Sequence, residues 1–309
     1  MIRIWFLALG MLFFLVLNSC GQDRPQEELP VPEVSWGEIH RLNPPSAHIS
    51  PRFVDVLLPE GYDSLLQYPV LYMQDGQMLF DSATARKNQP WKLAEILAKM
   101  TGENLARPPI VVGIHSHAKG RSAEYFPNAV LDYVPSDRLA GILSQLSGPP
   151  MGNRYLKFVV EDVKPLVDSL YSTYSGPGNN YIAGAGEGAI IALYALCEYP
   201  DIFGNAACLS TQWTGPDLED DVMPSAHLEY MRKNLPAPGE HKIYFDCGDQ
   251  GADVHFFVHQ QEVNRIVMAK GYTPAENWIT RYLQNAGHSE KAWGERFDFA
   301  LEFLFKGID

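Results

Sequence analysis

The sequence predicts an α/β fold with a mainly parallel β-sheet covered by helices on both faces. Short apolar runs that are typical of strands alternate with longer segments whose apolar residues recur at helical spacing. The run 109–114 is apolar throughout rather than alternating, as expected for a strand that is buried on both faces. Another apolar run begins at Tyr181, breaks into a glycine-rich turn at 184–188 and continues directly as a helix. A strand followed by a sharp turn and a helix is the repeating unit of such folds.

Each element follows from the same patterns. Strands are predicted at 38–42, 53–58, 68–73, 109–114, 205–210, 241–247 and 277–283, with the strand at Tyr181 between the fourth and the fifth of these. Helices are predicted at 91–100, 155–171, 189–198, 255–270 and 291–305. Pro165 should kink the second helix because proline has no N–H to donate. We expect residues 126–153 to be loop-rich and to form part of a pocket rim, and residues 211–240 to carry lid or pocket elements.

Size and charge narrow the possible functions. With 309 residues, of which 46% are hydrophobic, the chain can bury a full core, and we assign residues 36–309 to one domain. The 24 Lys and Arg residues against 37 Asp and Glu residues give a net charge of −13. No basic patch stands out, so we expect no nucleic-acid partner. We also expect no cofactor.

The first twenty residues differ in composition from the rest. A short basic start is followed by an apolar run at 4–17, and Leu-Asn-Ser-Cys at 17–20 resembles the bacterial lipoprotein cleavage box, in which cysteine becomes the lipidated first residue. We therefore interpret residues 1–20 as a lipoprotein signal peptide, Cys20 as the lipidation site and residues 21–35 as a flexible polar tether. The alternative is a plain signal peptide or an uncleaved anchor. Either interpretation predicts an exported protein, and the first places it in the bacterial cell envelope.

Two residue types that often form metal sites or disulfides have simpler interpretations here. Cys197, Cys208 and Cys247 each lie in an apolar segment, and an odd number leaves no complete disulfide set, so we interpret them as buried free thiols. His115 and His117 follow the strand at 109–114. Because no clear third ligand accompanies them, we interpret both as solvated loop residues rather than as a metal site.

The glycine-rich turn has the frame of a nucleophile elbow. Gly-x-Ser-x-Gly places a serine on a sharp strand-to-helix turn, and the flanking glycines let the strand and the helix approach closely. Here the frame is Gly184-x-Gly186-x-Gly188, and its central position is glycine. The turn is present without the nucleophile.

Several segments together resemble one family. The chain from 39 to 305 is similar to the esterase family of α/β-hydrolases that includes esterase D and the enterochelin and feruloyl esterases. The segments that carry the resemblance are 70–81, 121–125, 181–204, 246–248 and 287–289 with Trp293. The resemblance implies an α/β-hydrolase fold and a carboxylic-ester hydrolase with a serine, an acid and a histidine in that chain order.

The resemblance also implies roles for individual residues. His288 matches the histidine, and Asp253 matches the acid best, with Asp249 as the second choice. Gly186 stands at the position of the serine. The oxyanion hole would use the backbone N–H of Glu187 and donors near Gly76 and Gln77. We further place four side chains in the pocket: Gln74, Arg121, Glu124 and Trp213.

The departures from the family pattern lie around the chemistry. Gln74 stands where family members commonly have histidine, Gly186 cannot attack a carbonyl, and Glu187 would put a carboxylate beside the oxyanion hole. The leading hypothesis is therefore a lipid-anchored esterase-like protein that binds a small-molecule ester, a glycan or a peptide-like ligand with little or no catalysis. An alternative shifts the frame by one residue and uses Glu187 as a carboxylate nucleophile. A purely structural envelope protein is the third possibility.

The anchor is tested by one substitution. Cys20→Ala is expected to release the protein from membranes or to block its processing, because the lipid would be attached through this sulfur. Membrane fractionation and electrophoretic mobility measure both effects. Unchanged membrane association and unchanged mobility in Cys20→Ala would exclude the lipoprotein interpretation.

Overall fold

A single mixed β-sheet organises the chain in the computed structural model, which describes residues 29–101, 107–117, 119–215, 217–219 and 221–306. Within these residues eight strands form the sheet in the order β1-β2-β4-β3-β5-β6-β7-β8. The strands are β1 Glu38–Leu42, β2 Val54–Leu58, β3 Val70–Gln74, β4 Ile110–Ile114, β5 Asn180–Ala185, β6 Asn205–Leu209, β7 Lys242–Gly248 and β8 Trp278–Leu283. Strand β2 is antiparallel to both of its neighbours, and all other pairs are parallel. The predicted mainly parallel α/β fold is confirmed.

Helices cover both faces of the sheet. They are α1 Leu93–Met100, α2 Arg121–Glu124, α3 Ser136–Ser144, α4 Gly152–Lys157, α5 Lys164–Leu170, α6 Glu187–Glu198, α7 Val222–Asn234, α8 Phe257–Ala269, α9 Glu290–Gly294 and α10 Phe297–Leu304. One core lies between the sheet and α4 to α8, and the other lies between the sheet and α1 and α10. Strands β2 to β6 are buried along their whole length, which explains why their sequences are mainly apolar and do not alternate.

Three predicted segments differ from the structure. The helix predicted at 155–171 is α4 and α5 joined by the π-helical turn Phe158–Val163, which widens the helix just before Pro165. Residues 126–153 hold α3 and the 3₁₀ helix Asn128–Tyr133 rather than mostly loop. The closing helix is broken into α9 and α10 at Arg296, whose backbone leaves the helical region.

His115 is not a solvated loop residue, contrary to expectation. It is buried, and its Nε2 lies 2.7 Å from Oδ2 of Asp55, a carboxylate that Arg41 also binds. His117 closes its own loop, since its Nδ1 accepts the N–H of Gly120 at 3.0 Å. Cys197, Cys208 and Cys247 are buried free thiols, as predicted.

The predicted signal peptide, the lipidation site and most of the predicted tether lie outside the described residues. Residues 1–28, with the apolar run and Cys20, belong to that part. The structure does show the end of the predicted tether against the domain: the guanidinium of Arg41 donates to the Leu29 carbonyl at 2.6 Å, and the Glu33 N–H donates to Asp81 at 3.2 Å. In the described ranges no helix combines the length and the apolar character needed to cross a membrane.

The sheet brings the candidate site residues to one edge. The carboxyl ends of β3, β5 and β7 lie side by side or one strand apart, because the order through this region is β3-β5-β6-β7-β8. The loops that follow these strands therefore meet outside the same edge, which is where α/β folds bind ligands.

One buried ion pair offers a test of the fold. Arg52 and Glu124 are both almost fully buried and form two hydrogen bonds of 2.7 Å each. Glu124→Gln leaves the buried guanidinium without a counter-ion, so we expect the free energy of unfolding to fall by about 3–5 kcal/mol. Urea unfolding measures the loss. The exposed pair of Glu229 with Arg232 is the control, and Glu229→Gln should change stability by about 0.5 kcal/mol or less. An equal loss of stability in Glu124→Gln and Glu229→Gln would contradict the conclusion that Arg52 and Glu124 form a buried ion pair.

Candidate active site

The turn between β5 and α6 has the geometry of a strained elbow. Gly186 adopts φ 60° and ψ −121°, a region that residues with a Cβ rarely occupy. Its N–H donates to the Leu209 carbonyl at 3.0 Å, which fixes the turn against β6. A Cβ at Gly184 would lie 2.3 Å from the Gly188 carbonyl oxygen, so the strand and the helix meet without room for a side chain there.

A histidine and a carboxylate meet beside this elbow. Nδ1 of His288 lies 2.8 Å from Oδ1 of Asp253. An ionised carboxylate can only accept, so Nδ1 carries a proton, and in the neutral imidazole Nε2 then presents a lone pair. Nε2 faces the elbow: a Cβ at position 186 would lie 3.1 Å from it. A serine there would be in reach of the imidazole after a shift of a few tenths of an ångström.

Asp253 is held on its other oxygen as well. Its Oδ2 accepts hydrogen bonds from Ser210 Oγ at 2.6 Å and from the Gly248 N–H at 2.7 Å. Burial opposes its ionisation, but the hydrogen bonds from His288, Ser210 and Gly248 outweigh burial and hold the pKa of Asp253 below its usual value. Asp249, the second choice, is exposed and contacts only the neighbouring Gln250 side chain among its recorded side-chain partners in the described chain. The geometry therefore favours Asp253 over Asp249.

Ser210 links this acid to a second buried pair, and the sequence did not reveal it. The residue has a positive φ of 45° and is fully buried. Its hydroxyl accepts from Trp293 Nε1 at 3.0 Å and from the guanidinium of Arg296. Arg296 also binds Asp246 at 3.0 Å, although burial leaves the pKa of Asp246 above its usual value. The one signal in the sequence for this linking role is that Ser210 directly follows a strand.

Arg121 joins the loop after β3 to the start of α6. Its Nε and Nη2 donate to the two oxygens of Asp75 at 2.7 and 2.8 Å, and its Nη1 donates to Oε2 of Glu187. Burial lowers and the two carboxylates raise the pKa of Arg121, and the net result is a raised pKa. The same guanidinium outweighs the effect of burial and lowers the pKa of Asp75. The sequence alone suggested an unpaired carboxylate beside the oxyanion hole. In the structure, Glu187 is instead paired with Arg121 through Oε2.

The expected oxyanion-hole donors are backbone groups. Among the described residues, no acceptor is recorded for the N–H groups of Glu187, Gly76 and Gln77. Gly76 is required by packing, because a Cβ would lie 2.3 Å from the Gly113 carbonyl oxygen. The Gln77 side chain points to Ser116, to which its Nε2 donates at 2.7 Å. Gln77 can thus contribute its backbone N–H to the oxyanion hole but not its side-chain amide.

Three of the four predicted pocket residues do not line the cleft at the elbow. Glu124 is buried with Arg52, and Trp213 is buried with its Nε1 donating to Gln260 at 3.1 Å. Gln74 is also buried, where its Oε1 accepts the hydroxyl of Tyr155 and its Nε2 has no partner in the described chain. All three side chains are buried in the interior, although they belong to segments that lie next to the cleft. Arg121 is the one of the four that lines the cleft.

The cleft at the elbow is small and mainly polar. It has a volume of about 200 Å³. Its lining residues are Asp75, Met78, Arg86, Trp91, Arg121, Ala185, Gly186, Glu187, Gln212, His288, Glu290 and Trp293. A larger surface groove of about 460 Å³ between α1 and α9 shares Trp91 with it but contains none of the residues at the elbow. In the part of the chain that the structure describes, no group of three or more His, Cys, Asp and Glu side chains is arranged to hold a metal.

Solved structures with the same fold include esterases. An enterobactin esterase from Shigella flexneri superposes with a TM-score of 0.65 at 17% identity, covering 92% of this chain and 63% of that one. A ferulic acid esterase from Anaeromyces mucronatus gives a TM-score of 0.62 at 19% identity, covering 93% of this chain and 97% of that one. At these identities the likeness shows the fold alone.

Sequence comparison assigns the family. The uncharacterized protein YbbA of Bacillus subtilis is 23% identical over 260 residues, which are 82% of this chain and 92% of that protein. A family model described as "Putative esterase" matches residues 49–304. The match spans most of the chain and includes the elbow, the loop of Asp253 and the loop of His288. The chain therefore belongs to this esterase family of α/β-hydrolases.

Proposed function

We propose that this protein is an exported, lipid-anchored member of the esterase family that binds a small ester, glycan or peptide-like ligand in the cleft at the elbow and has lost ordinary serine hydrolysis. The observation that carries the proposal is the glycine at position 186, the corner of a turn that otherwise keeps its strained geometry. Removing the serine from a serine hydrolase lowers turnover by about 10⁶-fold. Ordinary esterase activity should therefore be very small.

The other parts of the site support retention of binding. The His288–Asp253 pair is complete, the cleft remains open, and backbone N–H groups beside the elbow are available to a ligand oxygen. Two solved structures that share the fold are named as esterases of enterobactin and of ferulic acid, and both of these compounds contain carbonyl groups. By analogy, a small molecule with a carbonyl group is the best candidate ligand for this cleft.

The carboxylate-nucleophile alternative has less support. The strained conformation belongs to Gly186 and not to Glu187, which is the first residue of α6. Glu187 is also paired with Arg121, and a guanidinium contact makes a carboxylate a weaker nucleophile. The alternative is still a distinct hypothesis with a distinct outcome.

The native protein is expected to be nearly inert toward short-chain aryl esters and unreactive toward a serine-directed fluorophosphonate, because position 186 has no hydroxyl. Release of the aryl alcohol and labelling of the protein are the measurements. Robust turnover that Glu187→Gln abolishes, without fluorophosphonate labelling, would favour the carboxylate nucleophile instead.

Restoring the serine tests whether the site is still in register. Gly186→Ser should place a hydroxyl next to Nε2 of His288 and give measurable hydrolysis of aryl esters together with fluorophosphonate labelling. The gain should disappear in Gly186→Ser combined with His288→Ala. A folded Gly186→Ser protein that neither hydrolyses esters nor reacts with the probe would show that the assigned residues no longer form a catalytic arrangement.

A further inference from the structure

Three side chains that line the cleft at the elbow present hydrogen-bond acceptors. Nε2 of His288 faces Gly186, and in the neutral imidazole it presents a lone pair. Gln212 turns its amide nitrogen away, because Nε2 donates to the Gly215 carbonyl at 2.7 Å, and its Oε1 would lie 3.7 Å from a Cβ at position 186. Since a carbonyl can only accept, this orientation of the amide is fixed. The oxygen of Gln212 has no donor among the described residues.

Glu187 adds a third acceptor with a charge. Only its Oε2 is bound to Arg121, and no partner for Oε1 is recorded in the described ranges. Arg121 pairs with both Asp75 and Glu187, so these three side chains together carry a net charge of −1 on the wall of the cleft. At the rim, Arg86 and Glu290 have opposite charges and offset each other.

This arrangement suits a positively charged donor. An esterase must stabilise a developing oxyanion, and donors and positive charge serve that purpose. Here acceptors and a net negative charge surround the corner, and a primary ammonium group supplies three N–H donors and the opposite charge. The backbone N–H groups of Glu187, Gly76 and Gln77 remain as donors beside them, and they fit the oxygen of a carbonyl.

We propose that the cleft binds a compound with a primary ammonium group next to a carbonyl, such as an amino-acid ester or amide. Nε2 of His288, Oε1 of Gln212 and Oε1 of Glu187 accept from the ammonium, and the Glu187 N–H donates to the carbonyl oxygen. The walls from Trp91 and Trp293 limit the side chain to a small one, since the volume is about 200 Å³. This inference rests on the proposed binding function and names its ligand class.

Two probes of equal size and a third, larger one separate charge from shape. Alaninamide carries the ammonium and the carbonyl, lactamide replaces the ammonium by a neutral hydroxyl, and N-acetylalaninamide keeps the nitrogen as a neutral amide. Titration calorimetry of the full-length protein in detergent at pH 7 should show alaninamide binding at least about tenfold more tightly than either neutral probe, because charge-assisted hydrogen bonds are about twice as strong as neutral ones. Equal affinities for alaninamide and lactamide, or no binding of alaninamide, overturn the proposal.

Variants locate the effect. Glu187→Gln should weaken alaninamide binding by about tenfold and change lactamide binding by about twofold or less. Gln212→Leu removes one acceptor without touching Arg121 and should also weaken alaninamide. Glu302→Gln, on the exposed side of α10, is the matched control and should bind like the native protein. If Glu187→Gln and Gln212→Leu both fold and both bind alaninamide as tightly as Glu302→Gln, the ligand does not occupy the elbow and the proposal is wrong.

The result is separable from the proposed function. Binding of N-acetylalaninamide or lactamide in preference to alaninamide would keep the protein as a binder and reject only the ammonium. Hydrolysis of aryl esters by the native protein would reject the loss of catalysis, whichever probe binds.

Discussion

The close approach of β5 and α6 at the glycine frame is the constraint on which the rest of the site depends. The strand end and the first turn of the helix touch through backbone atoms at Gly184 and Gly188, and this contact leaves Gly186 at the corner in its strained conformation. Because the corner is fixed against β6, the loops after β7 and β8 can bring Asp253 and His288 to it with little freedom. The arrangement of Gly186, Asp253 and His288 is therefore held by packing and hydrogen bonds.

Two buried or half-buried arginines support the corner from opposite sides. Arg121 binds Asp75 and Glu187, and Arg296 binds Asp246 and the hydroxyl of Ser210, which in turn holds Asp253. In each case one guanidinium fixes groups from two different loops or strands, which is a use to which its planar fork of donors is suited. The first arrangement sets the charge of the cleft wall, and the second sets the orientation of the acid that aligns His288.

The sequence predicted the parts that local patterns encode. Buried strands appear in the sequence as mainly apolar runs, and the spacing of the glycines is typical of a sharp strand-to-helix turn. The fold and the turn at Gly186 could therefore be predicted. His288 and Asp253 came from the resemblance to a family. The burial of Glu124 and Trp213 and the pairing of Glu187 with Arg121 could not be predicted. They depend on contacts between residues 47 or more positions apart. Charge neutralisation is a property of three-dimensional neighbours, and single-sequence patterns do not contain it.

The strained corner has a consequence for the evolutionary history of the site. A residue with a Cβ at φ 60° and ψ −121° stores about 1–3 kcal/mol of backbone strain, whereas glycine relieves it and costs roughly 0.5–1 kcal/mol in chain entropy. Glycine in place of serine at such a corner is thus expected to stabilise a protein, in a molecule whose total stability is small. Once selection for hydrolysis relaxes, the mutation from serine to glycine is favoured by folding itself, and the reverse mutation is opposed. At active sites built on strained turns, the change from a catalytic residue to glycine is therefore favoured by stability, and the reverse change is opposed by it.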